Sequence, residues 1–318
     1  MMHLGMKRRV PRIGVALGIL LTGGYLPPTM ASGCDCININ SWKTLSSVVQ
    51  ASLSVGALGT RPHILLCPFA INKLHEEPTL KLNQKIFLQC MKENKGDKCV
   101  ISGIGAASNP SLGPMIEISA DNVWLQGLTL TGARNGAIRV TEGILGAKII
   151  NMYSVRNSSP DDQEGSVVEA GWGSLVHIID SEFLSNRGTA LQNRGSMMVI
   201  STKFVDNVAS PFFDSSSDSA ELGSGVGGAV MNSDGGTLIL QDSCLTGNRA
   251  EQDGPAIWDE GEGDVIEVGG TCASGNTVTG LGNNQDGERN CDGVYSQDQD
   301  SCVPYNSCGG GMCATNRS

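Results

Sequence analysis

The chain is short of aromatic residues and of charge. Phe, Trp and Tyr together make up 4% of its 318 residues, and Asp, Glu, Lys and Arg 17%. So little charge excludes a coiled coil and a charge-rich disordered chain. Basic residues are the scarcer sign, 22 against 32 acidic, and four of them (Lys7, Arg8, Arg9, Arg12) lie in the first twelve positions. The remaining 18 against 32 repel phosphate backbones, which excludes a nucleic-acid partner and favours cations or neutral partners. Histidine occurs four times, too rarely for a histidine-based metal centre. No apolar run beyond the N-terminus is long enough to cross a bilayer, so no transmembrane helix is expected. What the chain holds in excess is glycine, 42 residues or about 13%, against a usual share of roughly 7%.

The N-terminus has a second pattern. The four early cations precede an apolar stretch from Ile13 to Leu26, which Pro27-Pro28 interrupts and the small residues Ala31, Ser32 and Gly33 follow. Residues 1–33 therefore read as a signal peptide, which makes the protein secreted or extracellular. Met30-Ala31-Ser32-Gly33-Cys34 also fits a loose lipobox, and surface anchoring through Cys34 is the alternative. All eleven cysteines lie beyond this segment, at 34, 36, 67, 90, 99, 244, 272, 291, 302, 308 and 313. In an exported chain they read as disulfides rather than zinc ligands or nucleophiles. Their odd number leaves one over.

The middle of the chain repeats. A small-residue strand recurs at Gly136-Ala137-Ile138, Ser166-Val167-Val168, Thr189-Ala190-Leu191, Gly228-Ala229-Val230 and Pro255-Ala256-Ile257. An aliphatic strand follows each, at Ala147–Ile150, Val176–Ile179, Met198–Ile200, Leu238–Leu240 and Val265–Val268. Every copy closes on an asparagine: Asn157, Asn186, Asn207, Asn248 and Asn276. From small residue to asparagine the spacings are 20, 19, 17, 19 and 20, whereas the interval to the next copy varies widely. A constant unit plus a variable loop is how a solenoid accommodates insertions on one side. Strands of three to five residues between Gly, Asn, Asp and Ser turns carry no helical period. Stacked in parallel at about 4.8 Å, such units bury an apolar side that none buries alone.

A recurring corner asparagine both donates and accepts along the stack, which satisfies turn groups that a tight corner leaves unpaired. Asn193, Asn232 and Asp259 form a second such row. Cys244 and Cys272 take equivalent places in successive copies, and the stacking distance predicts a disulfide between them. Upstream, 63–69, 85–90, 99–103 and 122–130 read as further strands. Residues 41–58 have helical spacing (Trp42, Leu45, Val49, Leu53) and predict a helix that caps the open end. The organisation expected is a signal peptide at 1–33, an N-terminal cap at 34–59, a parallel solenoid at 60–278 and a Cys-rich C-terminal tail at 279–318.

Gly227-Gly228-Ala229-Val230-Met231-Asn232 resembles one half of the paired motif of polymorphic outer-membrane-protein repeats. Phe183-Leu184-Ser185-Asn186 and Phe204-Val205-Asp206-Asn207 resemble the other half. More broadly, residues 60–278 resemble the right-handed parallel β-helix, or pectin-lyase-like, superfold. The resemblance implies an all-β, right-handed parallel β-helix solenoid, with a helical cap in front and a disulfide-rich tail behind. It also implies carbohydrate enzymes among its functions, yet their motifs are missing. No Gly-His-Gly occurs, the only Asp-Asp is Asp161-Asp162 on an insertion, and Arg61-Pro62 does not match the lyase pattern. Fold alone does not grant activity.

Two constellations remain as candidates. Asp161, Asp162 and Glu164 lie on one acidic insertion and Asp214, Asp218 and Glu221 on another; facing carboxylates suit calcium, and solvated acidic loops are the plain alternative. Arg139, Glu169 and Gln192 fall in one column, with Met231 and Trp258 beyond. Such a row can meet sugar hydroxyls, with Trp258 or Trp172 as a stacking surface; a surface ion pair and a packed tryptophan are the plain alternative. His177 reads as wall-facing or packed. Asn157 and Asn316 begin glycosylation sequons. Three functions follow: a non-enzymatic surface, matrix or glycan-binding protein; a divergent polysaccharide lyase or glycoside hydrolase; and an anchored, adhesin-like module. No cofactor is expected apart from calcium.

Overall fold

The computed structural model describes residues 36–55, 61–74, 76–92, 98–104, 113–158, 166–209, 225–251, 253–261, 263–279, 291–296 and 301–308. The signal segment lies outside them. Within them the chain is all-β apart from one helix, and its strands fall into three large, mainly parallel sheets with a repeating order. Each repeat gives one strand to each of the three, and the last repeats add a short fourth strand (Val208–Ala209, Arg249–Ala250, Thr277–Val278) that forms a small sheet of its own. The first sheet runs from His63–Leu66 to Asp264–Glu267, the second from Phe69–Leu74 to Cys272–Ser274, and the third from Leu80–Leu82 to Ile257–Asp259 and beyond. This arrangement is compatible with a β-helix-like solenoid.

The repeats align as the sequence spacing predicts. Ile138, Val168, Leu191, Val230 and Ile257 are register partners in the third sheet. Ile149, Ile178, Val199 and Leu240 are partners in the first. All are buried, and alternation turns their neighbours outward. Upstream the spacing was read too coarsely. The 63–69 segment splits into His63–Leu66 and Phe69–Leu74 in different sheets, and Leu80–Leu82 and Ile116–Ile118 are strands the sequence reading missed.

Two corners of each repeat need left-handed backbone. Asn151, Asp180, Ser201 and Asp242 hold φ between 48° and 51° where the first sheet ends. Arg156, Ser185 and Asp206 hold φ between 50° and 54° just before the corner asparagines, and Gly247 and Gly275 take that place in later repeats. The Gly227-Gly228 pair has a second reason. Gly227 sits at φ 68°, and a Cβ on Gly228 would strike the carbonyls of Pro255 and Arg249 in the next repeat.

The asparagine row is continuous. Nδ2 of Asn157, Asn186, Asn207 and Asn248 each donates to Oδ1 of the next member, at 3.3, 2.8, 2.9 and 2.9 Å. The same oxygens accept the preceding asparagine's backbone N–H. All five are buried. Asn157 therefore lies inside the stack, and its sequon is not open to glycosylation in the folded chain; Asn316 lies outside the described residues. A hydroxyl row runs alongside: Ser181, Thr202, Ser243 and Thr271 each accept a backbone N–H from the previous repeat. Phe183 and Phe204 stack in the core with centroids 5.2 Å apart.

The helix, Trp42–Val55, starts where Ser41 Oγ accepts the Thr44 N–H at 3.1 Å. It buries Trp42, Leu45, Val49 and Leu53 against the first repeats. At the other end Gly293–Ser296 continues the third sheet in parallel beside Ile257–Asp259, and Ser301–Pro304 folds back antiparallel. The tail thus lengthens the sheet past 278. Four disulfides join described residues: Cys36–Cys67, Cys90–Cys99, Cys272–Cys308 and Cys291–Cys302.

A third cysteine stands beside the predicted Cys244–Cys272 pair. The two are register partners, as expected; both are disulfide-bonded, and Cys272 is joined to Cys308. Both cysteines face outward on the second sheet, where the tail is laid alongside: Ala273 N–H donates to Asn306 O at 3.1 Å. That brings Cys308 to the same spot, with all three sulfurs within 4.8 Å of one another.

Candidate functional site

The Arg139 column is one outward row of the third sheet. Register extends it at both ends, giving Lys81, Glu117, Arg139, Glu169, Gln192, Met231, Trp258 and Tyr295. The row has two halves of different character. Lys81, Glu117, Arg139 and Glu169 alternate in charge and pair, Lys81 Nζ to Glu117 Oε1 at 3.4 Å and Arg139 Nε to Glu169 Oε2 at 2.6 Å.

The other half is covered. Gln192 is 1% exposed and Trp258 7%. Met231, Trp258 and Tyr295 pack with Val226, Cys291 and Cys302 in a small second core. Trp258 therefore presents no stacking surface to a ligand, which corrects that reading, and Gln192 is not open to sugar hydroxyls. The cover of Trp258 comes from Val226 and from Cys291, which is bonded to Cys302, while the tail hairpin itself extends the sheet beside Ile257–Asp259.

Trp172 is different. It stands 48% exposed on the turn from the third sheet into the first. Equivalent turns carry charge. Arg194 pairs with Glu169 at 3.5 Å and with Asp234 at 3.1 Å, and Asp234 N–H donates to Glu260 Oε2 at 2.9 Å. The site left open is thus exposed Arg139 with half-buried Glu169, Arg194 and Asp234, and Trp172 along one edge. Arg194 and Asp234 were missed in the sequence; each directly follows or lies two places beyond a member of the Asn193–Asn232 row, a signal that was available.

The calcium candidates Asp161, Asp162, Glu164, Asp214, Asp218 and Glu221 all lie outside the described residues. Among the described residues, the one group of three metal-capable side chains is Cys244, Cys272 and Cys308; all three are disulfide-bonded and offer no thiolate. No family model matches the chain, and no curated protein or solved structure matches it either. Function must be argued from the site alone.

Glu169 meets a guanidinium at each oxygen. Asp259 accepts from Asn232 Nδ2 at 2.8 Å at the end of the second asparagine row. A general acid and base pair needs carboxyl groups free to exchange protons across a bound bond. These two carboxylates are instead occupied in ladders. A half-open pocket of about 50 Å³ beside Lys73, Met115 and Arg134 has room for a few waters. The Lys73 ammonium there donates to Glu77 O at 2.7 Å, and burial holds its pKa below the usual lysine value.

Proposed function

We propose that this is a secreted, non-enzymatic protein of the cell surface or extracellular matrix that binds a glycan, built on a right-handed parallel β-helix of the pectin-lyase-like kind. The observation that carries the reading is the row Arg139–Glu169–Arg194–Asp234 beside exposed Trp172. It offers alternating donors and acceptors at the strand spacing of about 4.8 Å, with an aromatic face at its border. The disulfides and the signal pattern support an oxidising, extracellular setting. A divergent lyase or hydrolase is the second reading, favoured by the fold resemblance alone.

The test is calorimetry of the mature protein against a panel of polysaccharides, polyuronates included, with and without calcium. Trp172→Ala and Arg139→Ala are run in parallel. Binding to at least one polysaccharide that both variants weaken supports the proposal. No binding across the panel, or binding indifferent to both variants, overturns it.

A further inference from the structure

The outer face of the first sheet is unusually apolar. Leu145, Leu175, Ile266 and Val268 are 52, 36, 44 and 49% exposed, and Ile150, Ile179 and Ile200 form a half-buried register row among them. Contiguous apolar surface of this kind marks an interaction site. Charge on the face is sparse and gathers in two places, around Trp124 and on the last strand. Arg61 and Lys148 flank the ring of Trp124, with Arg61 Cζ 4.0 Å and Lys148 Nζ 4.6 Å from its centroid. Among the described residues neither cation has a carboxylate within salt-bridge distance, unlike Lys81, Arg139, Arg194 and Lys203 on the other sheets. At the far end stands exposed Asp264.

We propose that this face is self-complementary and joins two copies of the chain in an antiparallel, face-to-face dimer. Consider a two-fold axis in the plane of the face, along the strand direction, between the fourth and fifth of its eight strands (Leu145–Ile150 and Leu175–Ile179). It lays the first strand of one copy on the eighth of the other and keeps each position along a strand opposite its equivalent.

The register then fixes what meets what. Leu175, Ser196, Thr237 and Asp264 form one column, and alternation places Arg61, two residues before His63, in the same column. Arg61 therefore comes opposite the partner copy's Asp264, and the unpaired cation finds its carboxylate. In that column Leu145 meets Leu175, the two most exposed leucines of the centre. Two positions along, the aromatic residues Phe87 and Trp124 meet Ile239 and Met198. In the next column Ile150 meets Ile179, Gln89 meets Gln241, and Leu65 meets Val268. Only Lys148 opposite His177 is a like-signed pairing, and burial together with Lys148 holds His177 toward its neutral form. The alternative axis, along the stack, sets Arg61 near the partner copy's own cationic end and loses these matches. Eight strands of about five residues span roughly 34 by 17 Å. That is on the order of 600 Å² per copy, near the lower range of specific interfaces.

Sedimentation velocity of the mature protein over a concentration series reads the dimer directly and needs no glycan, so it stands or falls apart from the proposed function. A concentration-dependent dimer is expected. Ile179→Lys, an outward position, should weaken it about tenfold or more while leaving the melting temperature in place. Arg61→Asp and Asp264→Arg should each weaken it, and the double variant R61D/D264R should restore it. A monomer at every concentration overturns the proposal, as does a dimer indifferent to Ile179→Lys or a double variant no better than the single ones. Retention of a monomer on anionic vesicles, lost in Ile179→Lys, would assign the face to a lipid surface instead.

Discussion

Asn276 ends the asparagine row by donating from Nδ2 to Asp292 Oδ1 at 2.8 Å, and the same oxygen accepts the Asn276 backbone N–H at 2.8 Å. The row is polar, since every Nδ2 points toward the next repeat. Its last donor therefore needs an acceptor that requires no further partner in line, and a carboxylate meets that need. The Asn193–Asn232 row closes the same way, on Asp259. A tail residue thus completes a ladder built by five repeats.

Asp292→Ala should loosen the last repeat. It leaves Asn276 Nδ2, Asn276 N–H and Gly275 N–H without their acceptor, at a cost of about 2–3 kcal/mol. A lower melting temperature and earlier proteolysis of the tail check this; an unchanged melt contradicts it.

Inside the row the cost is larger. Asn207 is fully buried, donates to Asn248 Oδ1 and Phe183 O, and accepts twice from Asn186. Asn207→Ala should destabilise by about 3–5 kcal/mol. Arg139→Ala, which removes a largely exposed ion pair, should change stability by less than about 1 kcal/mol. Urea unfolding of the two variants side by side measures the contrast.

Phe204→Ala opens a cavity beneath Phe183 in the centre of the second sheet. A loss of about 3–5 kcal/mol is expected from urea unfolding. A loss under about 1 kcal/mol would mean that the two rings do not share one core column.

These contrasts show where the sequence was legible. The asparagines could be read because one residue type at near-constant spacing has one reason to recur, and the Phe183–Phe204 column followed from the same register. The Arg139–Glu169–Gln192 alignment was legible too, since register in a stacked sheet is arithmetic once the repeat is known. Burial was not legible. Trp258 packs with Val226 and with Cys291 and Cys302, all distant along the chain, and no local pattern announces that cover, nor the burial of Gln192. The bond from Cys272 to Cys308 escaped for the same reason. Leu80–Leu82 and Ile116–Ile118 are too short and too plain in composition to stand out.

Peptide mapping of the unreduced protein should recover Cys36–Cys67, Cys90–Cys99, Cys291–Cys302 and Cys272–Cys308. A Cys308 peptide linked to neither Cys272 nor Cys244 would mean that the tail does not lie along the second sheet as described.

His177 gives a pH dependence. Burial, and then the charge of Lys148, lower its pKa from 6.5, with Lys148 as its register neighbour on one side and Met198 on the other. A lowered folded value favours the neutral ring, so this contribution to stability is complete above pH 6.5 and is lost as pH falls toward the folded value. The urea midpoint should drop on acidification through that window, and His177→Gln should reduce the drop. An equal drop in the variant would assign it to other groups.

The central claim is that the protein holds a polysaccharide without cutting it. The most direct measurement is the chain-length distribution of a bound polysaccharide after prolonged incubation with excess mature protein, taken with the fraction of protein retained on it. Retained protein and an unchanged distribution are predicted. Shortened chains or unsaturated ends, abolished by Glu169→Gln, would contradict the account and make the Arg139–Glu169–Arg194 row a catalytic one.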